Sequence, residues 1–168
     1  MTKTIATNIV KQQSILASDR SNYDSVCQDI AKEFIPSQDI FFDNDKTRDY
    51  SAYDRILDGS GQIALSRWTA AMDGLNTPRG QKWQTLVSSN AKLNDNINVK
   101  RYFDEVTDIL FEARYGGGSS FASSASEKYT SLGAFGTGVL LVDDAFDQGI
   151  MYKHIHISEM FLSLNIFG

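Results

Sequence analysis

The sequence has few of the residues that build disulfide frameworks, membrane spans or basic binding surfaces. Its 168 residues include a single cysteine, Cys27, which excludes an internal disulfide and favours a reducing compartment. No apolar run approaches the roughly 18 residues that cross a bilayer, and the first residues lack the apolar core of a secretion signal, so we expect no membrane contact. Acidic residues outnumber basic ones, 21 to 16. The net charge of −5 argues against a free-standing nucleic-acid binder of the basic-patch type.

Apolar residues, in contrast, are plentiful, and their spacing indicates the fold. They make up 42% of the chain, enough for one unit with a core over residues 1–168. Spacings of three and four predict helices over residues 21–36, 61–75, 98–115 and 119–132. Short apolar runs predict strands over residues 83–87, 138–142, 150–157 and 161–166. We therefore predict an α+β fold in which several amphipathic helices pack on a small, mainly antiparallel sheet. Within it, the polar residues 37–54 form a mobile connector.

Several residues mark where these helices begin and end. Ser21 is the expected N-cap of the first helix and Pro36 its end, with Cys27 on the buried face. Ser60 is a possible N-cap of the second helix.

Three glycines lie between the last predicted helix and the following strand. Gly133, Gly136 and Gly138 fall within the order helix, glycine turn, strand. A dinucleotide-binding loop needs the reverse order, with glycines after a strand and before a helix. We therefore interpret the three glycines as a structural turn that ends a helix in a left-handed C-cap.

Residues with catalytic or ligand-binding potential are present but form no recognisable constellation. His154 and His156, the only histidines, alternate along a predicted strand near Glu159, yet no further ligand pattern supports zinc. No serine lies in a nucleophile elbow. Arg79 and Lys82, beside a tryptophan, are a possible contact for phosphate or an acidic partner. We predict no catalytic residue, no cofactor and no metal.

Several segments, taken in order, resemble the head-to-tail connecting (portal) proteins of short-tailed bacteriophages. These segments are CQDIAKEFIPSQ, GSGQIALSRWTAAMDGLNTPRGQKWQTL, VKRYFDEVTDILFEARYGGGSSFASSASEKYTSLGAFGTGVLLVDD and IMYKHIHISEMFLSLNIFG. They cover nearly all of the chain. The passage SLGAFGTGVLLVDD and the later HISEMFLSLN are the most specific parts of the resemblance.

The resemblance implies a structural subunit of a ring, typically of twelve, at one vertex of the phage head. Such a ring conducts double-stranded DNA during packaging and ejection without specific binding. It docks the terminase packaging motor, which carries ATP hydrolysis, and contacts capsid and tail proteins. The chain would be located in the virion, and in the host cytoplasm during assembly. It resembles only the N-terminal, wing-like region of these longer proteins.

Two alternative functions, from other classes of protein, are also compatible with the sequence. One is a truncated or separately encoded fragment that acts as a small protein-binding adaptor through an exposed strand edge and a serine-rich helix. The other is an enzyme that uses His154, His156 and Glu159.

Overall fold

The computed structural model describes residues 2–36, 58–145 and 149–163, which form helices around one small sheet. The helices are α1 (Thr2–Phe34), α2 (Ser60–Asn76), α3 (Ala91–Asn94), α4 (Ile97–Tyr115) and α5 (Phe121–Phe135). The strands are β1 (Val139–Ala145) and β2 (Gly149–Ile155), and a short 3-10 helix, Ile157–Glu159, follows. The predicted α+β class is confirmed. The predicted connector at residues 37–54 lies outside the described residues.

Helix α1 is much longer than predicted. Its 33 residues begin at Thr2, so the expected start at Ser21 is wrong. Ser21 lies inside the helix, where its hydroxyl donates to the Ser18 carbonyl (2.9 Å) instead of capping an N-terminus. No glycine or proline interrupts the segment, so nothing in the chain stops the helix before Phe34, two residues short of Pro36.

Helices α2, α4 and α5 agree more closely with the prediction. Helix α4 begins one residue before the predicted start, and α5 runs three residues past its predicted end. The expected N-cap of α2 is wrong. Ser60 is the first residue of that helix, and the Asp58 carboxylate accepts from both the Ser60 amide (2.9 Å) and hydroxyl (2.8 Å). This contact lowers the pKa of Asp58, because hydrogen bonding favours the charged carboxylate.

The two strands form an antiparallel hairpin. Val139 lies opposite Ile155 and Val142 opposite Tyr152. The predicted pairing of these two segments is therefore confirmed, with strand limits shifted by a few residues. The last predicted strand is not formed at residues 161–163, and residues 164–166 lie outside the described part.

The strand predicted over residues 83–87 is also absent. This segment lies against α4, and two hydrogen bonds to α4 side chains hold it there. The Leu86 amide donates to the Thr107 hydroxyl (3.1 Å), and the Trp83 indole donates to the Tyr115 hydroxyl (3.0 Å). A strand needs a backbone partner, and neither of the described strands pairs with this segment.

Helix α5 is the central element, because it contributes to both clusters of the core. The first cluster joins α1, α2, the end of α5 and the 3-10 helix through Cys27, Ala31, Ile35, Leu65, Phe135 and Ile157. The second joins α5 to β2 through Phe121, Ala125, Tyr129 and Tyr152. The Phe121 ring packs edge-on against the Tyr152 ring, with centroids 4.9 Å apart. The first turn of α5 is thereby fixed on the sheet.

Candidate assembly surface

A single arginine joins α1 to the segment that follows the sheet. The Arg20 guanidinium donates to the carbonyls of Ile157 (3.0 Å) and Ser158 (3.1 Å), and also to that of Met160. Its Nε lies 2.8 Å from the Asp24 carboxylate one turn further along α1. Its charged plane lies 4.3 Å from the centre of the Phe161 ring, within cation–π range. Arg20 thus adds polar and ring contacts to the apolar packing of Ile157 that holds this segment against α1.

Arg20 was not predicted as a contact residue, although the sequence carries a signal for it. Arg20 and Asp24 share the helix face of Cys27 and Ala31, at spacings of four and three. A charged pair within an otherwise apolar stripe indicates buried polar contacts, because buried charges need partners.

The N-terminal half of α1 presents apolar side chains to solvent. Ile5 and Ile9 are each 59% exposed. They lie at helical spacings on the same face as Leu16, Arg20 and Cys27, so the face that is buried near the C-terminal end of α1 continues as an exposed surface toward its N-terminus. We call this surface, formed by Ile5 and Ile9, the α1 apolar face. Exposed apolar surface that continues a buried helix face is a candidate site of protein contact.

The three glycines have different surroundings. Gly136 is the C-cap of α5, with φ of 73°, and its amide donates to the Leu132 carbonyl (3.0 Å). A Cβ on Gly133 would lie 2.6 Å from the Trp68 ring, and a Cβ on Gly138 would lie 2.3 Å from the Lys128 carbonyl oxygen. Gly136 supplies the left-handed turn, whereas the other two allow close packing.

Arg79 and Lys82 lie on the surface beside acidic residues of the same chain. Arg79 Nη2 is 3.3 Å from the Asp73 carboxylate, and the Lys82 ammonium contacts the Asp108 carboxylate. Both basic side chains are more than half exposed. Such exposed pairs contribute little to stability and exchange readily with other ions.

Both histidines form hydrogen bonds with neighbouring backbone or hydroxyl groups. His154 Nδ1 donates to the Val139 carbonyl (2.9 Å), so Nε2 accepts from the Ser131 hydroxyl (2.8 Å). His156 Nδ1 accepts from the Ser158 amide (3.3 Å) at the start of the 3-10 helix. Burial lowers the pKa of His156, and the nearby His154 lowers it further, against an opposing effect of Glu159. Within the described ranges, no group of three or more potential ligands could hold a metal ion.

Comparison with known proteins identifies the family. The family model described as "Bacteriophage head to tail connecting protein" matches residues 6–168. The chain belongs to this family. No helix in the described part of this connector-family chain is long and apolar enough to cross a membrane.

Two curated phage proteins are similar to this connector-family chain. The "Probable portal protein" of Bordetella phage BPP-1 is 28% identical over 144 residues, which cover 83% of this chain and 24% of that protein. The "Portal protein" of Salmonella phage epsilon15 is 27% identical over 143 residues, which cover 84% of this chain and 25% of that protein. The chain therefore spans about a quarter of the length of these relatives.

Proposed function

We propose that this chain is the wing-like region of a portal subunit and acts as a structural part of a homo-oligomeric ring, without catalytic activity of its own. The observation that carries the proposal is the family match over residues 6–168, together with the two similar phage portal proteins. In this function the complete ring lies at the head-tail junction of the virion. It serves as the DNA conduit in packaging and ejection.

The α1 apolar face supports a role in assembly. Burial of exposed apolar side chains is the main favourable contribution to association, and Ile5 and Ile9 have most of their surface still available. Both belong to a helix whose other half is anchored in the core through Cys27. A helix that is anchored at one end and presents an apolar face at the other suits contact between neighbouring subunits.

The charge of the chain supports passage of DNA without tight binding. Phosphate contacts from lysine and arginine dominate non-specific DNA affinity, and here acidic residues are in excess. Capsid proteins, tail proteins and a terminase motor are the further partners that we propose.

Arg79 and Lys82 remain proposed contacts for such an acidic partner or for DNA phosphate. Replacement of both by alanine is expected to leave the free energy of unfolding within about 0.5 kcal/mol, because their own-chain ion pairs are exposed. It should reduce the salt dependence of DNA or partner binding, as measured by titration at several ionic strengths. An unchanged salt dependence would remove the two residues from the proposed contact.

The main proposal is tested by assembly of the full-length protein. This is the product of the uninterrupted reading frame that contains these residues. Negative-stain images and light scattering should show closed rings with a central channel. The double variant Ile5→Asp, Ile9→Asp should lower the ring fraction at least tenfold, while the circular dichroism of its dilute, unassembled subunits matches that of the unsubstituted protein, because both residues are exposed in the subunit.

A matched double variant provides the control. Leu75→Asp with Val87→Asp places the same charges at apolar positions that are at least as exposed but lie outside α1, and rings should form normally. Monomers of the unsubstituted protein at all concentrations would contradict the proposed function. Rings that tolerate the α1 charges would contradict the role of the α1 apolar face alone.

A further inference from the structure

The two edges of the hairpin have different surroundings. On the β2 side, the hydroxyls of Ser120 and Ser124 at the start of α5 both donate to the Tyr152 carbonyl, and the Tyr152 amide donates back to Ser120 Oγ (3.2 Å). The backbone polar groups of Tyr152 therefore point away from β1 and are satisfied by side chains. These serines cover the edge of β2 at its middle residue, so a further strand has no place there.

The orientation of Tyr152 fixes the orientation of the residues on β1. In an antiparallel pair, residues directly opposite each other either exchange both backbone bonds or both point outward. Val142 lies opposite Tyr152, so its amide and carbonyl point outward on the other side of the hairpin, and alternation gives Leu140 the same orientation. The sheet order within the described ranges is β1-β2, with no strand beyond β1. Among the described residues, none pairs with the edge of β1 at its centre.

The side chains along this edge combine apolar and acidic character. Leu141 is 40% exposed and Val142 is 57% exposed. The next two residues, Asp143 and Asp144, are also exposed. The Asp144 amide donates to the Asp143 carboxylate (2.8 Å), so it is not available to a further strand. The usable edge therefore runs from Leu140 to Val142 and is followed by two negative charges.

These charges argue against a second copy of β1 as the occupant. Antiparallel self-pairing centred on Val142 would place Leu141 opposite Asp143, and pairing centred on Asp143 would place two carboxylates opposite each other. Parallel pairing in register would also set like charges side by side. Like charges at these distances destabilise a strand pair, so the complementary occupant carries basic residues instead.

We propose that the free edge of β1 binds an extended polypeptide segment as a third, antiparallel strand, with small β-branched residues opposite Leu140–Val142 and lysine or arginine opposite Asp143 and Asp144. Backbone bonds to Val142 and Leu140 hold the segment, and the two carboxylates set its direction and register. This inference concerns a different surface from the α1 apolar face and does not depend on ring formation.

The probe for the test is an acetylated and amidated peptide of sequence KKVTVT, with EEVTVT as the matched control. Binding is followed by isothermal titration and by amide hydrogen exchange on the protein. The basic peptide should bind at least tenfold more tightly than the acidic one and should slow exchange of the Leu140 and Val142 amides. Equal binding of the two peptides, or protection of other amides only, would overturn the proposal.

A proline substitution separates the edge from the hairpin itself. Val142→Pro removes an outward amide that the β1–β2 ladder does not use, so the hairpin should be retained while affinity for KKVTVT falls at least tenfold. Leu141→Pro removes an inward ladder amide and should instead destabilise the hairpin. Retained affinity in a folded Val142→Pro variant would refute edge pairing.

Charge reversal provides a second variant that does not alter the backbone. Asp143→Lys with Asp144→Lys should invert the preference, so that EEVTVT binds more tightly than KKVTVT. An unchanged preference for the basic peptide would show that the carboxylates do not select the segment and would overturn the proposal, whatever the behaviour of the proline variant.

Discussion

The Trp68 ring of α2 lies directly against Gly133 of α5, and a Cβ at position 133 would come within 2.6 Å of it. The Leu65 side chain would be 2.8 Å from the same atom. Leu65 is buried and cannot move away freely, whereas Trp68 keeps 38% of its surface exposed but presents a rigid ring to Gly133. The absence of a side chain at Gly133 therefore determines how closely α2 and α5 pack.

Gly133→Ala is expected to destabilise the protein by up to about 2 kcal/mol. Overpacking against the Trp68 ring costs about 1–3 kcal/mol, and the gain in helix propensity of about 1 kcal/mol offsets only part of it. Gly74→Ala is the matched control, because Gly74 also lies inside a helix and a Cβ there would meet nothing within 4 Å. It should stabilise the protein by about 0.5–1 kcal/mol. Urea unfolding of the two variants measures both values, and a stabilised Gly133→Ala variant would contradict the close contact.

Arg20→Ala is expected to lower the free energy of unfolding by about 2–4 kcal/mol. The change removes charge-assisted bonds to backbone carbonyls and leaves the Asp24 carboxylate, which is largely buried, without its partner. The control is Arg101→Ala, which removes an exposed ion pair with Glu105 at 3.8 Å and should change stability by less than about 0.5 kcal/mol. Equal effects of the two changes in urea unfolding would count against the proposed importance of Arg20.

Stability is expected to fall on acidification because of His156. Burial lowers its pKa in the folded protein, so the unfolded chain takes up a proton first as pH falls through the ordinary value of about 6.5. The stability associated with neutral His156 is therefore present above that value and is lost progressively below it, down to the lowered pKa of the folded state. Urea unfolding from pH 8 to pH 5 should show a smaller loss for His156→Gln than for the unsubstituted protein. An identical pH dependence would exclude His156 as its source.

Cys27 is expected to be unreactive in the native protein. The thiol is 1% exposed, and burial raises its pKa, so little thiolate forms at neutral pH. Reaction with a disulfide reagent at pH 8 should be at least a hundredfold slower in buffer than in concentrated urea. Native labelling at the unfolded rate would contradict burial of this face of α1.

Local sequence patterns predicted those elements whose causes are local. Helix α4 was predicted to within one residue at its start, because a regular apolar stripe runs along it. Its end was predicted correctly, because the glycines that begin at Gly116 stop the helix. The burial of Cys27 was predicted and is confirmed, because it followed from periodicity alone. The pairing of β1 with β2 could also be predicted, because the two apolar runs lie close together in the chain.

The remaining features depend on contacts that are distant in sequence. Residues 83–87 form a short apolar run that favours a strand, yet the Thr107 hydroxyl of α4 accepts from the Leu86 amide, and Tyr115 of α4 accepts from the Trp83 indole. The close packing at Gly133 depends on Trp68, which belongs to another helix. The start of α1 was missed because its first half lacks an N-cap pattern and is polar enough to resemble a loop.

The exposed first half of α1 also has a kinetic and thermodynamic consequence. A helical segment of this length and composition is only marginally stable when its apolar face is in water. Burial of Ile5 and Ile9 in an assembly would therefore stabilise the helix around them. A higher subunit concentration would then lower the fraction of subunits in which this segment is unfolded. Backbone amides in the first half of α1 should then exchange with solvent more slowly as the protein concentration rises. Those around Ala31, which is buried within the subunit, should exchange at a rate independent of concentration.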